Sequence, residues 1–207
     1  MPLPKDQIKS ILEAAILSAS EPVSLERLSQ LFAEDEALTA MQLREILQEM
    51  AEDCGVRGVE LKEVASGFRY QVKTEVIPWL MRWIEERPAR YSRALLETLA
   101  LIVYRQPITR AEIEEVRGVA VSSTIMRTLL EREWVKVLGH RDLPGRPALY
   151  GTTKQFLDYF NLKSLTELPP LADIATELQN LEGAEQMLLE LKAQTVPVVA
   201  EPDVITV

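Results

Sequence analysis

Three sets of residues in this chain have types and spacings that could do chemistry: Cys54 and His140, the carboxylate runs, and the arginines of the second half. A zinc site needs several Cys or His ligands at close spacing, and here there is one of each, far apart in sequence. A Ser–His or Cys–His nucleophile would have to use His140, which lies beside Arg141 and Arg146 in what reads as a solvated, strongly basic loop. The eight glycines are scattered and never form GxGxxG or GxxxxGK, so no phosphate loop or dinucleotide fingerprint is present. Glu85-Glu86 and Glu114-Glu115 are adjacent, and neighbours on a helix point apart, which suits solvated faces rather than acid–base dyads. The residue chemistry points away from an enzyme, with no catalytic group, metal or cofactor expected.

What remains is the chemistry of contact. Arginine presents a planar fork of donors matched to carboxylates and phosphates. Arg127, Arg132, Lys136, His140, Arg141 and Arg146 cluster in sequence, but Glu131, Glu133 and Asp142 lie among them. Those carboxylates would meet DNA phosphates, so the arginines are better matched to acidic groups on a partner protein, or to bracing their own loop. Trp79 and Trp83 lie one helical turn apart and either extend a core or fill an interface, where tryptophan is enriched.

Composition bounds the setting of these groups. The chain has 207 residues, enough for two small domains, and 47% of them are hydrophobic. No apolar run is long enough to span a membrane, and the opening Met1-Pro2-Leu3-Pro4-Lys5-Asp6 lacks the order of a signal peptide, so a cytoplasmic protein is expected. A single cysteine suits a reducing compartment. The net charge of −9 is uneven: residues 1–90 carry −5, 91–171 carry +2 and 172–207 carry −6. Three electrostatic characters suggest three parts.

The elements that position the groups follow from periodicity. Ile8, Ile11, Leu12, Ala15 and Ile16 form a helical stripe. Pro22 stops that helix, Ser24 caps a short second one, and a third follows Thr39 with Leu43, Ile46, Leu47 and Met50 inward. The period then changes to two. Val59 and Leu61, then Phe68, Tyr70 and Val72, predict a β-hairpin turning at Ser66-Gly67. A closing helix is expected over 75–87, with Val76, Leu80 and Ile84 on one face.

The same order repeats about 85 residues on. Leu95, Leu96, Leu99, Ile102 and Val103 make a helix, and Pro107-Ile108-Thr109 matches Pro22-Val23-Ser24 in chemical type. Thr109 with Glu112 fits a capping box, Gly118 a left-handed helix end, and Ser122 or Ser123 a cap for the next helix. Val135 to Leu138 and Ala148 to Tyr150 read as strands, followed by a helix holding Phe156, Leu157 and Phe160. Helix, helix, helix, hairpin is a winged helix. The expected fold is mostly α with small β-hairpins: one winged helix in 1–90, another in 91–171, and an acidic, largely mobile tail over 172–207.

The second half also carries specific runs: Glu97-Thr98-Leu99-Ala100-Leu101-Ile102-Val103-Tyr104-Arg105-Gln106-Pro107-Ile108-Thr109-Arg110-Ala111-Glu112, then Val116-Arg117-Gly118-Val119, Arg127-Thr128-Leu129-Leu130-Glu131-Arg132, Pro144-Gly145-Arg146-Pro147 and Leu149-Tyr150-Gly151-Thr152-Thr153. These strongly resemble segregation and condensation protein B, the winged-helix accessory subunit of the bacterial condensin complex. The resemblance implies a homodimer held mainly through the first domains. It also implies a kleisin partner, segregation and condensation protein A, which closes a ring with an SMC ATPase in chromosome condensation and partition during cell division. It places such a chain in the cytoplasm, at the nucleoid through the complex. The residues themselves give no membrane partner, and the mixed charges around the basic second wing leave DNA contact at most weak or indirect. For kleisin contact the candidate residues are Tyr104, Arg105, Gln106, Arg110, Arg117, Arg127, Arg141 and Arg146, set against salt bridging to Glu112, Glu114 or Glu131 within the domain. Trp79 and Trp83 are the candidates for dimerisation. A winged-helix DNA-binding regulator is the alternative function.

Overall fold

The computed structural model describes residues 3–33, 38–83 and 91–169. The first unit runs α1 (Lys5–Ser18), α2 (Leu25–Ser29), α3 (Ala40–Asp53), β1 (Val59–Val64), β2 (Gly67–Val72) and α4 (Ile77–Leu80). The second runs α5 (Arg93–Arg105), β3 (Ile108–Thr109), α6 (Arg110–Arg117), α7 (Ser123–Glu131), β4 (Val135–His140), β5 (Ala148–Thr152) and α8 (Lys154–Tyr159). Mostly helical with two small antiparallel sheets, this is the expected architecture. No described helix is long and apolar enough to cross a membrane. The acidic stretch 172–207, Ile84 and the pair Glu85-Glu86 lie outside the described residues.

Local chemistry sets the helix boundaries. The Ser24 hydroxyl accepts the Arg27 N–H at the start of α2. Thr39 and Gln42 form a capping box on α3, and Thr109 and Glu112 form another on α6, each satisfying orphan donors in both directions. Gly118 ends α6 at φ 69, the left-handed geometry a helix stop calls for. Inward faces then make two separate cores. Ile8, Leu12, Ile16, Leu43, Leu47, Leu61 and Phe68 pack in the first, and Leu99, Ile102, Ile113, Leu129, Trp134 and Phe156 in the second.

The two units share a topology. In the second, β5 lies between β3 and β4, with Ile108 opposite Tyr150 and Val135 opposite Thr152. In the first, β2 pairs with β1 on one side, and on the other Val23 and Phe68 exchange N–H···O bonds of 2.9 Å in both directions. Val23 thus does the work of β3. That close crossing requires Gly67, at φ 145, because a Cβ there would lie 2.2 Å from the Val23 carbonyl oxygen.

One expectation changes. The closing helix over 75–87 reduces, within the described residues, to a 3-10 turn at Thr74–Val76 and the single turn of α4. Pro78 separates the two pieces: it lacks an N–H and its ring clashes with the preceding turn, so a helix can begin there but not run in from Thr74; the end of α4 at Leu80 has no such local cause. Trp134, given no role by periodicity, is 2% exposed at the centre of a cluster with Tyr91, Tyr159 and Phe160.

The units touch where the β1–β2 turn meets the end of α8. The Ala65 N–H donates to the Leu162 carbonyl at 3.0 Å, and the Ser66 N–H to Asp158 Oδ1 at 2.9 Å.

The crossing at Gly67 predicts that Gly67→Ala destabilises the protein by about 3 kcal/mol or more. Gly118→Ala, where the added methyl meets open space, should cost about 1–2 kcal/mol. Denaturant unfolding of both variants checks this, and equal losses would contradict it.

Candidate functional site

The second unit opens a groove between the end of α5 and α6, lined by Arg105, Pro107, Ile108, Glu112, Glu115 and Val116 and holding about 450 Å³. Val116 at 46% and Val119 at 56% exposure leave apolar surface beside its charges. A second apolar strip lies on the wing, at Val137, Leu138 and Leu143. One forked cation, Arg105, between Glu112 and Glu115 and next to exposed aliphatic side chains suits a polypeptide segment of mixed polar and apolar character.

The structure divides the candidate contact residues by whether they are already engaged. Gln106 is fully committed: its Oε1 accepts the Thr152 N–H at 2.7 Å and the Thr152 hydroxyl at 3.1 Å, and its Nε2 donates to the Val103 carbonyl. It fastens α5 to β5, across a gap so narrow that a Cβ on Gly151 would lie 2.7 Å from Gln106 Oε1. Arg117 has a side chain 9% exposed and donates to Glu97 Oε2 at 3.2 Å, while Arg93 donates to Oε1 at 2.8 Å. Arg110 pairs with Glu114 at 3.0 Å and also donates to the Val121 carbonyl, and Glu114 accepts the Val121 N–H. These bonds brace the α6–α7 corner. Arg141 pairs with Glu112. Tyr104 is half-buried and donates its hydroxyl to the Pro169 carbonyl at 2.6 Å.

Arg105, Arg127 and Arg146 are different. All three are exposed, and none makes an ion pair among the described residues. Arg105 lies in the groove, Arg127 on α7, and Arg146 in the turn of the wing at φ 42. Trp79 and Trp83, at 63% and 81% exposure, belong to neither core.

The carboxylates that hold the engaged arginines are tuned accordingly. Glu97 is held below the usual carboxylate range first by its bond from Arg93, while burial opposes the shift and Arg117 adds a smaller lowering. Glu112 is lowered first by the Thr109 N–H and hydroxyl, then by Arg141. Burial pushes the Tyr104 phenol up. Cys54 is buried in the first core, and His140 is exposed on β4.

Sequence reasoning missed the groove's floor at Pro107 and Ile108 and its edge at Val116. Sequence carried no signal for Val116: it follows Ile113 by three residues, a spacing that reads as the inward face, and only the packed structure leaves it 46% exposed.

Fold and site together define a tandem winged-helix protein whose second unit displays unpaired cations beside apolar surface. Residues 10–171 match the family model described as "Segregation and condensation complex subunit ScpB", and the chain belongs to that family. A relative in Coxiella burnetii, "Segregation and condensation protein B homolog", is 58% identical over 183 residues, which cover 87% of each chain. Among solved structures, ScpB from Mycobacterium tuberculosis is 31% identical, covers 78% of this chain and 99% of its own, and has a TM-score of 0.37. A dimer of ScpB N-terminal domain complexed with ScpA peptide is 23% identical, covers 38% of this chain and 96% of its own, and has a TM-score of 0.34.

If Arg117 is scaffold and Arg127 is not, their truncations separate. Arg117→Ala should lower stability by about 1.5–3 kcal/mol, through the lost charged hydrogen bond and the lost packing of its buried side chain, and Arg127→Ala by less than about 0.5 kcal/mol. Chemical denaturation followed by far-UV circular dichroism distinguishes them. A loss at Arg127 as large as at Arg117 would contradict the division.

Proposed function

We propose that this chain is a non-enzymatic adaptor of an SMC–kleisin complex that condenses and partitions the chromosome, acting as a homodimer that holds the kleisin, segregation and condensation protein A. The observation that carries the reading is membership of the ScpB family along residues 10–171. The ATP hydrolysis of such a complex belongs to its SMC chain, in keeping with a sequence that has no nucleotide motif. The place of action is the cytoplasm, at the nucleoid.

The surfaces are consistent with binding protein. The helix α3, which a DNA reader would place in the major groove, carries Glu45, Glu49, Glu52 and Asp53. Its Glu49 and Asp53 are already met by Lys5 and Lys9 of α1. The wing of the first unit is turned onto α8 rather than outward. Kleisin contact is assigned to the second unit, with Arg105, Arg127 and Arg146 as direct donors, Val116 as an apolar edge, and Tyr104, Gln106, Arg110, Arg117 and Arg141 shaping the face behind them. Dimer contact is assigned to residues 1–90, through the exposed apolar surface of Trp79, Met81 and Trp83.

Two expectations follow from these assignments. Full-length protein should scatter light as a dimer at about 10 µM, and the double variant Trp79→Ser, Trp83→Ser should fall to half that mass with an unchanged circular dichroism spectrum. A variant that stays dimeric would move the interface elsewhere. For the kleisin, Arg105→Glu and Arg127→Glu should each weaken binding at least about tenfold while leaving the fold intact. Unchanged kleisin affinity together with lost retention of duplex DNA at low salt would favour the DNA-binding regulator instead.

A further inference from the structure

We infer that the wing of the first unit is an intramolecular clasp: the β1–β2 turn and Arg69 lock onto the capped end of α8 and fix the orientation of the second unit. Wings are commonly free to meet a partner. This one is spent within the chain.

The receiving end is built by the cap of α8. Asn161 takes the left-handed conformation at φ 57, its N–H donates to the Asp158 carbonyl at 3.2 Å, and the Leu162 N–H reaches back to Leu157 at 2.8 Å. That double bond pattern is a Schellman cap, with Asn where Gly is more usual. It turns the chain so that the Asp158 carbonyl, the Asp158 carboxylate, Asn161 Oδ1 and the Leu162 carbonyl are all presented to the hairpin.

The hairpin answers each with a donor. The two turn residues give their N–H groups, Ala65 to the Leu162 carbonyl and Ser66 to Asp158 Oδ1. Arg69, pointing from β2 away from the first core, donates to the Asp158 carbonyl at 2.8 Å and to Asn161 Oδ1. A guanidinium at a helix C-terminus also meets the negative end of the helix dipole. Outside this set, Glu63 joins Lys163 at 2.7 Å to Arg44 at 3.0 Å, tying the second unit to β1 and α3.

Burial marks the contact as closed rather than incidental. Asp158 and Asn161 are 5% and 8% exposed although they end a short helix, and Val64 is 3% exposed while belonging to neither core. Burial pulls the Arg69 guanidinium below its ordinary range, opposed by the Asp158 charge. A buried arginine that lost these acceptors would be left without partners, so the clasp opens as a unit.

Native-state amide exchange by NMR on the full chain tests this, because Ala65 and Ser66 have no partner for their N–H groups within the hairpin. In the wild type both should exchange at least about tenfold more slowly than in Arg69→Ala and in Asn161→Gly. Glycine keeps the left-handed cap while removing the Oδ1 acceptor, so Asn161→Gly leaves α8 intact. The Val23 and Phe68 amides, bonded within the first unit, should keep their protection in both variants, and small-angle scattering should broaden from one compact form to a range of separations. Rapid exchange of Ala65 and Ser66 in the wild type, or wild-type scattering as broad as that of Asn161→Gly, would overturn the inference.

Discussion

Each unit is closed by the segment that follows its first helix laying its backbone against the second strand of its own hairpin. Val23 exchanges two bonds with Phe68, and Ile108 pairs with Tyr150. Without that pairing the hairpin would be an isolated two-stranded ribbon, which is marginal in water. With it, the sheet is held against the helices, and its inner residues complete the core. Gly67 and Gln106 both exist to serve this closure, one by removing a Cβ from the crossing and the other by tying the end of α5 to Thr152.

The closure also decides which polar groups are left for function. Side chains near the joint are drawn into it: Gln106 by Thr152, and Glu112 by the Thr109 cap and Arg141. Arg110 and Arg117 brace α6 against its neighbours. The exposed cations Arg105, at the joint itself, and Arg127 and Arg146, further out, make no ion pair among the described residues and remain available. In the proposed adaptor role the engaged set gives shape and the free set gives contact. With the first wing clasped onto α8, a homodimer would present its two second units at a set separation rather than on loose tethers.

Much of the fold was legible because it obeys local rules. Caps at Ser24, Thr39 and Thr109, the stop at Gly118 and the alternation around Ser66-Gly67 each have a chemical signature a few residues long. The closing helix of the first unit differs at its start because apolar spacing does not register Pro78, which keeps a helix from running through from Thr74. The site was less legible. Residue type marked the arginines as a group but did not separate Arg117 from Arg127, because what distinguishes them is Glu97, twenty residues away in sequence and adjacent only after α5 and α6 pack. The clasp had no signature at all. Arg69, Asp158 and Asn161 are ordinary polar residues until the two units meet.

Affinity capture of the tagged full chain from its own cells, with partners identified by mass after nuclease treatment at physiological salt, bears most directly on the adaptor role. The expected result is that a kleisin and an SMC ATPase stay with the chain through the treatment, since the contact is between proteins and needs no nucleic acid. Recovery of the chain free of both, or loss of both on nuclease treatment, would contradict that role.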